Sequence, residues 1–461
     1  MKDVLDRVDA DREESVRRLE EFLRIPSIST DAERAGDVRR AADYLAGVFR
    51  ESGVKKVEVL PTKGHPIVLA EHLEDPSAPT LLVYGHYDVQ PIANRAEWKS
   101  DPFVPEIRDG KIWARGATDD KGQLLTHVLA AKAHLDVRGR LPLNVKFLIE
   151  GEEEIGSEHL DGFVRENRER LACDAIAISD TAMYSPEIPS ICTGLRGIAY
   201  TEFTIRCATS DLHSGSFGGA VDNPALVLAH LIAGLKDEET GRVLIDGFYD
   251  GIIEPTQDER DRWAELPSPD AKYLEMTGVP ALYGERPYPV LERIWARPSL
   301  DVNGIWGGFT GKGSMTVLPA RASAKVSMRL VPGQSPKDVA KKLEAHLRKH
   351  LPKTAVLERF EDLHGGQPWV AELDHPAVQA AFRAVEQGFG KKPVPSREGG
   401  SIPIVQLFTE TLRAPAVLMG FGLHDEGAHG PDEHFDLGNF LAGIRSAACY
   451  FDEFPRAVSR A

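Results

Sequence analysis

Short apolar runs alternate with a helical stretch near the start of this chain, and this alternation is the feature that most constrains its fold. Residues 122–134 have helical spacing, and four segments have the composition of buried strands, namely 67–70, 80–84, 143–149 and 175–178. Strands that alternate with helices predict an α/β domain with a mixed or mainly parallel central sheet. In such sheets, ligands gather beyond the carboxyl ends of the strands.

The pattern changes near Gly194, and the change predicts a second domain. From 197 to 207 and from 314 to 330, apolar and polar residues alternate as in a half-solvated antiparallel sheet. A chain of 461 residues also exceeds the length that a single core usually supports. The α/β pattern resumes after Asp374, so the second domain is an α+β insertion into the first. The predicted segments are 1–195 and 373–461 for the catalytic domain and 196–372 for the insertion.

Residues 236–312 are rich in Pro, Gly, Asp and Glu and carry several Trp and Tyr side chains, among them Trp263 and Trp295. A structureless connection of that length would be unusual, so we predict an ordered excursion of the inserted domain. Helical spacing predicts further helices at 11–23, 37–52, 223–235, 335–351, 374–388 and 437–451.

The composition excludes several function classes. The formal net charge is −16, which argues against binding to a phosphate backbone, so we expect no nucleic-acid partner. Neither a membrane span nor a signal peptide is evident, so we expect no membrane association and a cytoplasmic location. The four cysteines show no CxxC spacing, and we interpret them as reduced packing residues.

His86 and Asp88 follow the apolar run 80–84 and are two positions apart, so both point to one face if the strand continues. One can bind a metal ion while the other orients it, or both can be solvated turn residues. Asp119 and Asp120 stand before a helix, where a carboxylate can bridge two cations or cap the helix. We assign Asp119 to the metals and Asp120 to a backbone cap.

Three adjacent carboxylates follow the run 143–149, and they repel one another unless cations hold them. Glu154 is a candidate ligand and Glu153 a candidate general base, with a solvated acidic turn as the alternative. Asp180 follows the run 175–178, and His429 lies in a predicted loop; each alone is compatible with a structural role. Together, these His and carboxylate groups indicate a two-metal site without thiolates, which suits zinc, manganese or cobalt.

Five ordered strings resemble those of the M20 family of metallopeptidases, and within it the branch of cytosolic nonspecific dipeptidases and carnosinase-like enzymes. The strings are GHYDVQP (85–91), RGATDDKG (115–122), EGEEEIGS (150–157), DLHSG (211–215) and REGGSIP (397–403). The resemblance runs nearly end to end. It implies a catalytic α/β domain with two divalent metal ions per subunit, interrupted by a lid domain that also forms a homodimer.

The resemblance also implies roles for single residues. By the family pattern, His86 and Asp180 hold one metal ion, Glu154 and His429 hold the other, and Asp119 bridges them. Asp88 resembles the residue that orients the first histidine, and Glu153 the general base. His213 resembles the histidine that reaches the neighbouring subunit's site and stabilises the oxyanion. The groups that hold the substrate's terminal carboxylate correspond to Thr316, Arg329, Gly400 and Ser401.

The function expected from these features is metal-dependent hydrolysis of dipeptides with a free C-terminal carboxylate, through a water activated by two metal ions. An N-acyl-amino-acid deacylase or a carboxypeptidase of the same fold shares the metal ligands, so the ligands do not separate these activities. A non-enzymatic metal-dependent binding protein is the alternative from a different class. Glu153 argues against it, because a binding protein needs no carboxylate base beside a ligand.

Overall fold

The computed structural model describes residues 1–459 and divides the chain into two compact units. The first unit comprises Met1–Thr193, Ala371–Ser396 and Ile404–Ala461, and the second comprises Gly194–Val370 and Arg397–Pro403. The chain therefore passes between the two units four times, near residues 194, 370, 397 and 403, and most of the second unit is one insertion into the sequence of the first.

The chain forms the following elements. The strands are β1 (Lys56–Leu60), β2 (Ile67–His72), β3 (Thr80–His86), β4 (Glu106–Arg108), β5 (Lys111–Trp113), β6 (Asn144–Glu150), β7 (Ala175–Ile178), β8 (Ala182–Met183), β9 (Ser190–Leu195), β10 (Gly197–Arg206), β11 (Leu212–His213), β12 (Ser299–Gly307), β13 (Val317–Leu318), β14 (Arg321–Leu330), β15 (Val356–Gly366), β16 (Trp369–Val370), β17 (Val394–Glu398), β18 (Ala416–Leu418), β19 (Gly422–Leu423) and β20 (His434–Asp436). The α-helices are α1 (Lys2–Ala10), α2 (Arg12–Leu23), α3 (Ala35–Glu51), α4 (Lys121–Arg138), α5 (Leu160–Glu166), α6 (Arg168–Leu171), α7 (Ser214–Phe217), α8 (Pro224–Ala233), α9 (Gln257–Ala264), α10 (Asp270–Thr277), α11 (Val290–Trp295), α12 (Pro336–His350), α13 (Pro376–Phe389), α14 (Pro403–Leu412) and α15 (Leu437–Val458).

The first unit is built on a mixed sheet in which the strands follow the order β1-β2-β6-β3-β7-β18-β9. β6, β3, β7 and β18 run parallel, and the outer strands pair antiparallel. Val83 lies between Phe147 and Ala177 in this register. Because parallel strands end at the same edge, the chain leaves β3 at His86 and β7 just before Asp180 on one side of the sheet. The predicted mixed α/β fold is confirmed.

Helices cover this sheet, which explains why its central strands are apolar on both faces. Every residue of β6 and β7 is buried. The apolar spacing of α3 places Val38, Leu45 and Phe49 in the core, and α15 packs along α13 and α4. The ends of β3 and β7 are therefore held by a rigid, densely packed frame.

The second unit contains an antiparallel sheet in the order β12-β14-β10-β15. β10 pairs with β14 from Gly197 opposite Leu330 to Arg206 opposite Arg321. Alternate residues of β10 are buried, as the sequence pattern predicts, and α8 and α12 pack on the sheet. β12 and β15 form the two edges.

The segment 236–312 is ordered, as predicted, and contains α9, α10 and α11 before it enters β12. The rings of Trp263 in α9 and Trp295 in α11 meet at 5.5 Å in an edge-to-face arrangement. Arg297 forms an ion pair with Glu285 at 2.8 Å and is buried with it. Aromatic and charged anchors therefore replace a large apolar core here.

Several predicted boundaries were wrong. The predicted strand pattern over 314–330 is two strands, because Pro319 between β13 and β14 has no backbone N–H for a sheet ladder, and residues 314–316 lie outside both. Among the elements that were not predicted are α1, α14, β12 and β15. The two strands were missed because both lie at edges, where much of each strand is exposed and the apolar signal is weak.

Within residues 1–459, the structure contains no helix that combines the length and the apolar character needed to cross a bilayer.

Candidate metal centre

Two groups of nitrogen and oxygen atoms converge at the carboxyl edge of the first unit's sheet, and they share Asp119. His86, Asp119 and Asp180 form the first group, and Asp119, Glu154 and His429 form the second. Within each group the ligand atoms lie within 4.8 Å of one another. The structure thus brings together the five residues that the sequence analysis named as ligands.

Asp119 turns one oxygen toward each group. Its Oδ1 lies 3.1 Å from His86 Nε2, and its Oδ2 lies 3.0 Å from His429 Nε2. Asp180 Oδ2 lies 3.9 Å from His86 Nε2, and Glu154 Oε2 lies 3.3 Å from His429 Nε2. A carboxylate with its two oxygens directed at two separate donor groups has the arrangement of a bridging ligand.

The local backbone explains why these side chains converge. His86 is the last residue of β3, and Asp180 comes two residues after β7, so both project from the same sheet edge. Glu154 lies in a 3-10 turn, Glu153–Ile155, that follows β6. His429 has a φ of +62°, a conformation that non-glycine residues rarely adopt and that often marks functional positions.

Asp88 is buried beneath His86. His86 Nδ1 lies 3.1 Å from the backbone oxygen of Asp88 and 3.3 Å from its Oδ1, which leaves Nε2 directed at Asp119. The same carboxylate accepts hydrogen bonds from the backbone N–H groups of Glu153 at 3.3 Å and Glu154 at 3.1 Å. Asp88 therefore contacts both the first histidine and the turn that carries Glu153 and Glu154.

The three adjacent glutamates separate in the fold. Glu152 turns away to His159 Nδ1 at 2.9 Å and to the backbone N–H of His65 at 3.2 Å, which relieves the predicted crowding. Burial raises the pKa of Glu153 well above its ordinary value, and the negative charges of Asp180 and Glu154 act in the same direction against an opposing effect of His86.

The centre gathers carboxylates around the buried ring of His86, whereas His429 is exposed. Burial raises the pKa of Asp180 to about 7, with Asp119 adding to the effect. Hydrogen bonds to Asp119 and then Glu154 raise the pKa of His429 to about 10. Groups that draw protons this strongly suit divalent cations, which would replace those protons as counter-charge. The imidazole and carboxylate donors, with no thiolate among them, fit zinc, manganese or cobalt.

The predicted helix cap by Asp120 was wrong. Asp120 occupies the N-cap position of α4 but makes no side-chain cap hydrogen bond. Its Oδ2 instead accepts from the backbone N–H of His86 at 3.2 Å. The side chain is 1% exposed and packs toward β3, so it supports the strand end rather than the helix end.

A buried ion pair that was not predicted holds two of the ligand segments. Arg115 donates to Glu433 at 2.7 Å and to the backbone oxygens of His429 at 3.3 Å and Gly430 at 3.0 Å. Glu433 also accepts from the backbone N–H of Asp119 at 3.1 Å. The one available signal was that both residues adjoin ligand motifs; their 318-position separation gave no sign that they pair.

The remaining predicted residues lie in the second unit, in two local clusters. Arg329 Nη1 donates to Ser401 Oγ at 3.2 Å, and Gly400 is exposed beside Ser401. His213 in β11 pairs with Val317 in β13, and the Ser214 N–H donates to the Thr316 oxygen at 3.0 Å. His213 Nδ1 accepts from the Gly215 N–H at 3.0 Å, so in the neutral ring Nε2 carries the proton.

Comparison with known proteins relates this chain to the same group of peptidases by sequence and by structure. Residues 82–453 match the model of peptidase family M20/M25/M40. The chain is 34% identical over 462 residues to the Cys-Gly metallodipeptidase dug1 of Schizosaccharomyces pombe, with 97% of this chain and 96% of that protein covered. Human carnosine dipeptidase 1 has a TM-score of 0.84 at 32% identity, with 99% of this chain and 98% of that chain covered. The M20 family metallo-carboxypeptidase Sso-CP2 of Sulfolobus solfataricus has a TM-score of 0.83 at 34% identity, with 96% and 99% covered.

Proposed function

This chain belongs to peptidase family M20/M25/M40, and from that premise we propose that it is a dinuclear metallopeptidase that hydrolyses dipeptides with a free C-terminal carboxylate. The observation that carries the proposal is Asp119, whose two oxygens face His86 and His429 in two separate donor groups. Relatives named as a Cys-Gly metallodipeptidase and a carnosine dipeptidase support the substrate class.

The five convergent residues would hold the metal ions. His86 and Asp180 would bind one ion, Glu154 and His429 the other, and Asp119 both. Two zinc or manganese ions, or cobalt, would when bound supply Lewis acidity that polarises a carbonyl and lowers the pKa of water. Asp88 would keep the His86 ring in place through its contacts with Nδ1.

Glu153 is the general base in this proposal. Its backbone N–H is held by Asp88, and its neighbour Glu154 belongs to the second donor group. The raised pKa of Glu153 suits a carboxylate that takes a proton from water and passes it to the leaving amine. Both transfers use the same carboxylate oxygen atoms, so no second acid is needed.

Substrate recognition is assigned to the second unit. Arg329 and Ser401, joined by their hydrogen bond, would hold the terminal carboxylate of the substrate, with Gly400 and Thr316 beside it. His213, with its proton on Nε2, would donate to the developing oxyanion in the site of the other subunit of a homodimer. A lone subunit would then have an incomplete site.

The edge strand β12 supports the homodimer. Val302, Ile305 and Trp306 are 38%, 61% and 44% exposed, and Asp301 is the sole charged residue of the strand. The opposite edge, β15, carries the charged run Glu358 to Asp362, interrupted by one Phe, which protects a strand edge against pairing. We therefore propose that two copies of this chain associate through β12.

Replacing both Ile305 and Trp306 by lysine is expected to make the protein monomeric, as measured by light scattering. Pairing of two β12 edges would desolvate the lysine charges, and this opposes association. Dipeptide hydrolysis should fall by about 10²- to 10³-fold, the cost of losing one oxyanion donor. Val356→Lys on β15 is the matched control, since Val356 is 48% exposed on the other edge. A dimer that survives the double change, or one that the control disrupts, would contradict pairing through β12.

A hydrolysis panel tests the activity itself. Cys-Gly, Ala-Ala and β-Ala-His are expected to be cleaved by the metal-loaded enzyme, and their C-terminal amides much more slowly, because Arg329 would lose its carboxylate partner. The panel also contains tripeptides and N-acetyl amino acids, because Sso-CP2 is named a carboxypeptidase. Dominant turnover of tripeptides would favour a carboxypeptidase, and dominant turnover of acylated amino acids a deacylase.

A cytoplasmic location accompanies this proposal. Cys173, Cys207 and Cys449 are free thiols, which suits a reducing compartment.

A further inference from the structure

Arg196 is the single residue between β9 and β10, and it holds the loop 398–401 by three hydrogen bonds. Its backbone N–H donates to the Glu398 oxygen at 3.2 Å, and its Nε donates to the Gly399 oxygen at 3.2 Å. Its own backbone oxygen accepts from Ser401 Oγ at 2.6 Å. A Cβ on Gly399 would lie 2.8 Å from Arg196 Nη2, so a side chain at that position would displace the guanidinium.

The same guanidinium reaches into the excursion 236–312. Nη1 of Arg196 donates to the backbone oxygens of Arg293 at 3.4 Å and Arg297 at 3.2 Å. Arg293 lies in the last turn of α11, where helix carbonyls carry partial negative charge that favours a cation. Arg196 therefore connects the C-terminal end of α11 to the loop that carries Ser401.

Arg397, directly before this loop, makes a second connection. Its side chain is 7% exposed, forms an ion pair with Glu259 in α9, and lies 5.3 Å from the centre of the Trp263 ring. Glu259 also belongs to the capping box that starts α9 with Thr256. Because the ring of Trp263 packs on Trp295 of α11, the two connections end on the same pair of helices.

The hydrogen bonds of Arg196 and Arg329 go to neutral oxygens, those of backbone carbonyls and of the Ser401 hydroxyl. Burial, and then the positive charge of Arg329, lower the pKa of Arg196 to about 10. The negative charge of Asp301 opposes this lowering for Arg196 and also acts on the pKa of Arg329. None of the hydrogen bonds above involves a carboxylate, however, so two partly buried guanidiniums beside the Ser401 hydroxyl favour an incoming anion.

From these contacts we propose that Arg196 and Arg397 are positioning residues through which the excursion 236–312 holds the loop 398–401 for recognition of the substrate carboxylate. This inference rests on the proposed function, because it deepens the role given there to Ser401 and Arg329. The excursion thereby acquires a role in recognition, since α9 and α11 are the support against which both arginines fix the loop. Neither arginine needs to touch the reacting atoms.

The test compares a dipeptide with its C-terminal amide in Arg196→Gln and Arg397→Gln. KM for the free acid is expected to rise by about 10- to 100-fold, the size of losing one charge-assisted hydrogen bond, with kcat little changed. Amide hydrolysis should stay the same, so the preference for the acid is reduced. A purely structural role would instead lower activity on both substrates alike and would overturn the proposal.

Arg262→Gln is the matched control, because Arg262 lies on α9 with its side chain 50% exposed and paired to Asp258. It should leave both substrates unaffected. Arg196→Lys keeps the charge but not the planar fork that spans several carbonyls, and it should remain defective. Full recovery of KM in the lysine variant would show that charge alone suffices and would contradict positioning by geometry.

The variant Glu259→Gln tests the connection to α9 while leaving Arg196 and Arg397 unchanged. Glutamine preserves the capping box but removes the ion pair with Arg397, so the same selective rise in KM is expected without loss of the fold. Amide hydrogen exchange at residue 196, whose backbone N–H donates to the Glu398 oxygen, gives a readout independent of substrate. It should become faster by about tenfold in Arg196→Gln, Arg397→Gln and Glu259→Gln. If the wild-type enzyme cleaves no dipeptide, the proposed function fails, and unchanged exchange in the variants would separately refute the positioning role.

Discussion

Replacement of Glu153 by alanine is expected to lower dipeptide turnover by about 10²- to 10⁴-fold, the range that positioned general bases contribute. Glu153 lies outside both donor groups, but its neighbour Glu154 is in one of them, and Asp88 holds the backbone of both. The variant should therefore keep two metal ions per subunit by elemental analysis. Retained ions with lost turnover would separate the base from the ligands.

Glu158→Gln is the control for this change, because Glu158 is exposed on the same segment. It should show wild-type turnover. Glu153→Gln preserves the shape of the side chain but cannot accept the proton, so it should be as inactive as alanine. Turnover within about tenfold of the wild type would remove Glu153 from the mechanism, since a base contributes more than that. Loss of metal would make Glu153 a ligand.

Mixed dimers of Glu153→Ala and His213→Ala subunits should regain activity that neither variant has alone. In a mixed dimer, the His213→Ala subunit keeps its own Glu153 and receives an intact His213 from the other subunit. The other site lacks both groups. Random mixing of equal amounts makes about half of the dimers mixed with one complete site each, so about a quarter of wild-type activity should return.

The geometry of His213 motivates this experiment. Its Nδ1 is occupied by the Gly215 N–H, its ring is exposed, and the chain on its β13 side leads back through 308–316 to the edge strand β12. Subunit exchange must be verified with two affinity tags on the same samples. If tagged mixed dimers form and no activity returns, His213 does not act across subunits. Each variant alone, taken through the same exchange procedure, gives the baseline activity.

Much of the first unit could be predicted from local patterns. The runs that became β3, β6 and β7 are rich in apolar residues and are buried along nearly their whole length, because parallel strands are covered on both faces, and this leaves a clear signal. Because the carboxyl ends of parallel strands lie at the same edge of a sheet, knowing the strands is enough to place His86 and Asp180 on one side of it. The edge strands β12 and β15 gave no such signal, because much of each is exposed to solvent.

Contacts between distant residues were not predictable in the same way. Local periodicity reports whether one element is buried, but it does not report which atoms of another element it meets. Arg115 and Glu433 are separated by 318 positions, and Arg196 and Gly399 by 203. The wrong prediction of a helix cap by Asp120 has the same origin. A cap is inferred from neighbouring residues, whereas the N–H group that donates to this carboxylate belongs to His86 of β3, 34 positions away.

The amino-acid sequence by itself determined the fold class, the family resemblance and the set of His and carboxylate residues, because buried strands and ordered motifs are local properties. The tertiary structure alone decided how these groups face one another. It turned the two oxygens of Asp119 toward different histidines, turned Glu152 away to His159, and attached the Ser401 loop to α9 and α11 through two arginines. Such arrangements depend on the order of strands and the path of loops, which place residues hundreds of positions apart within hydrogen-bonding distance.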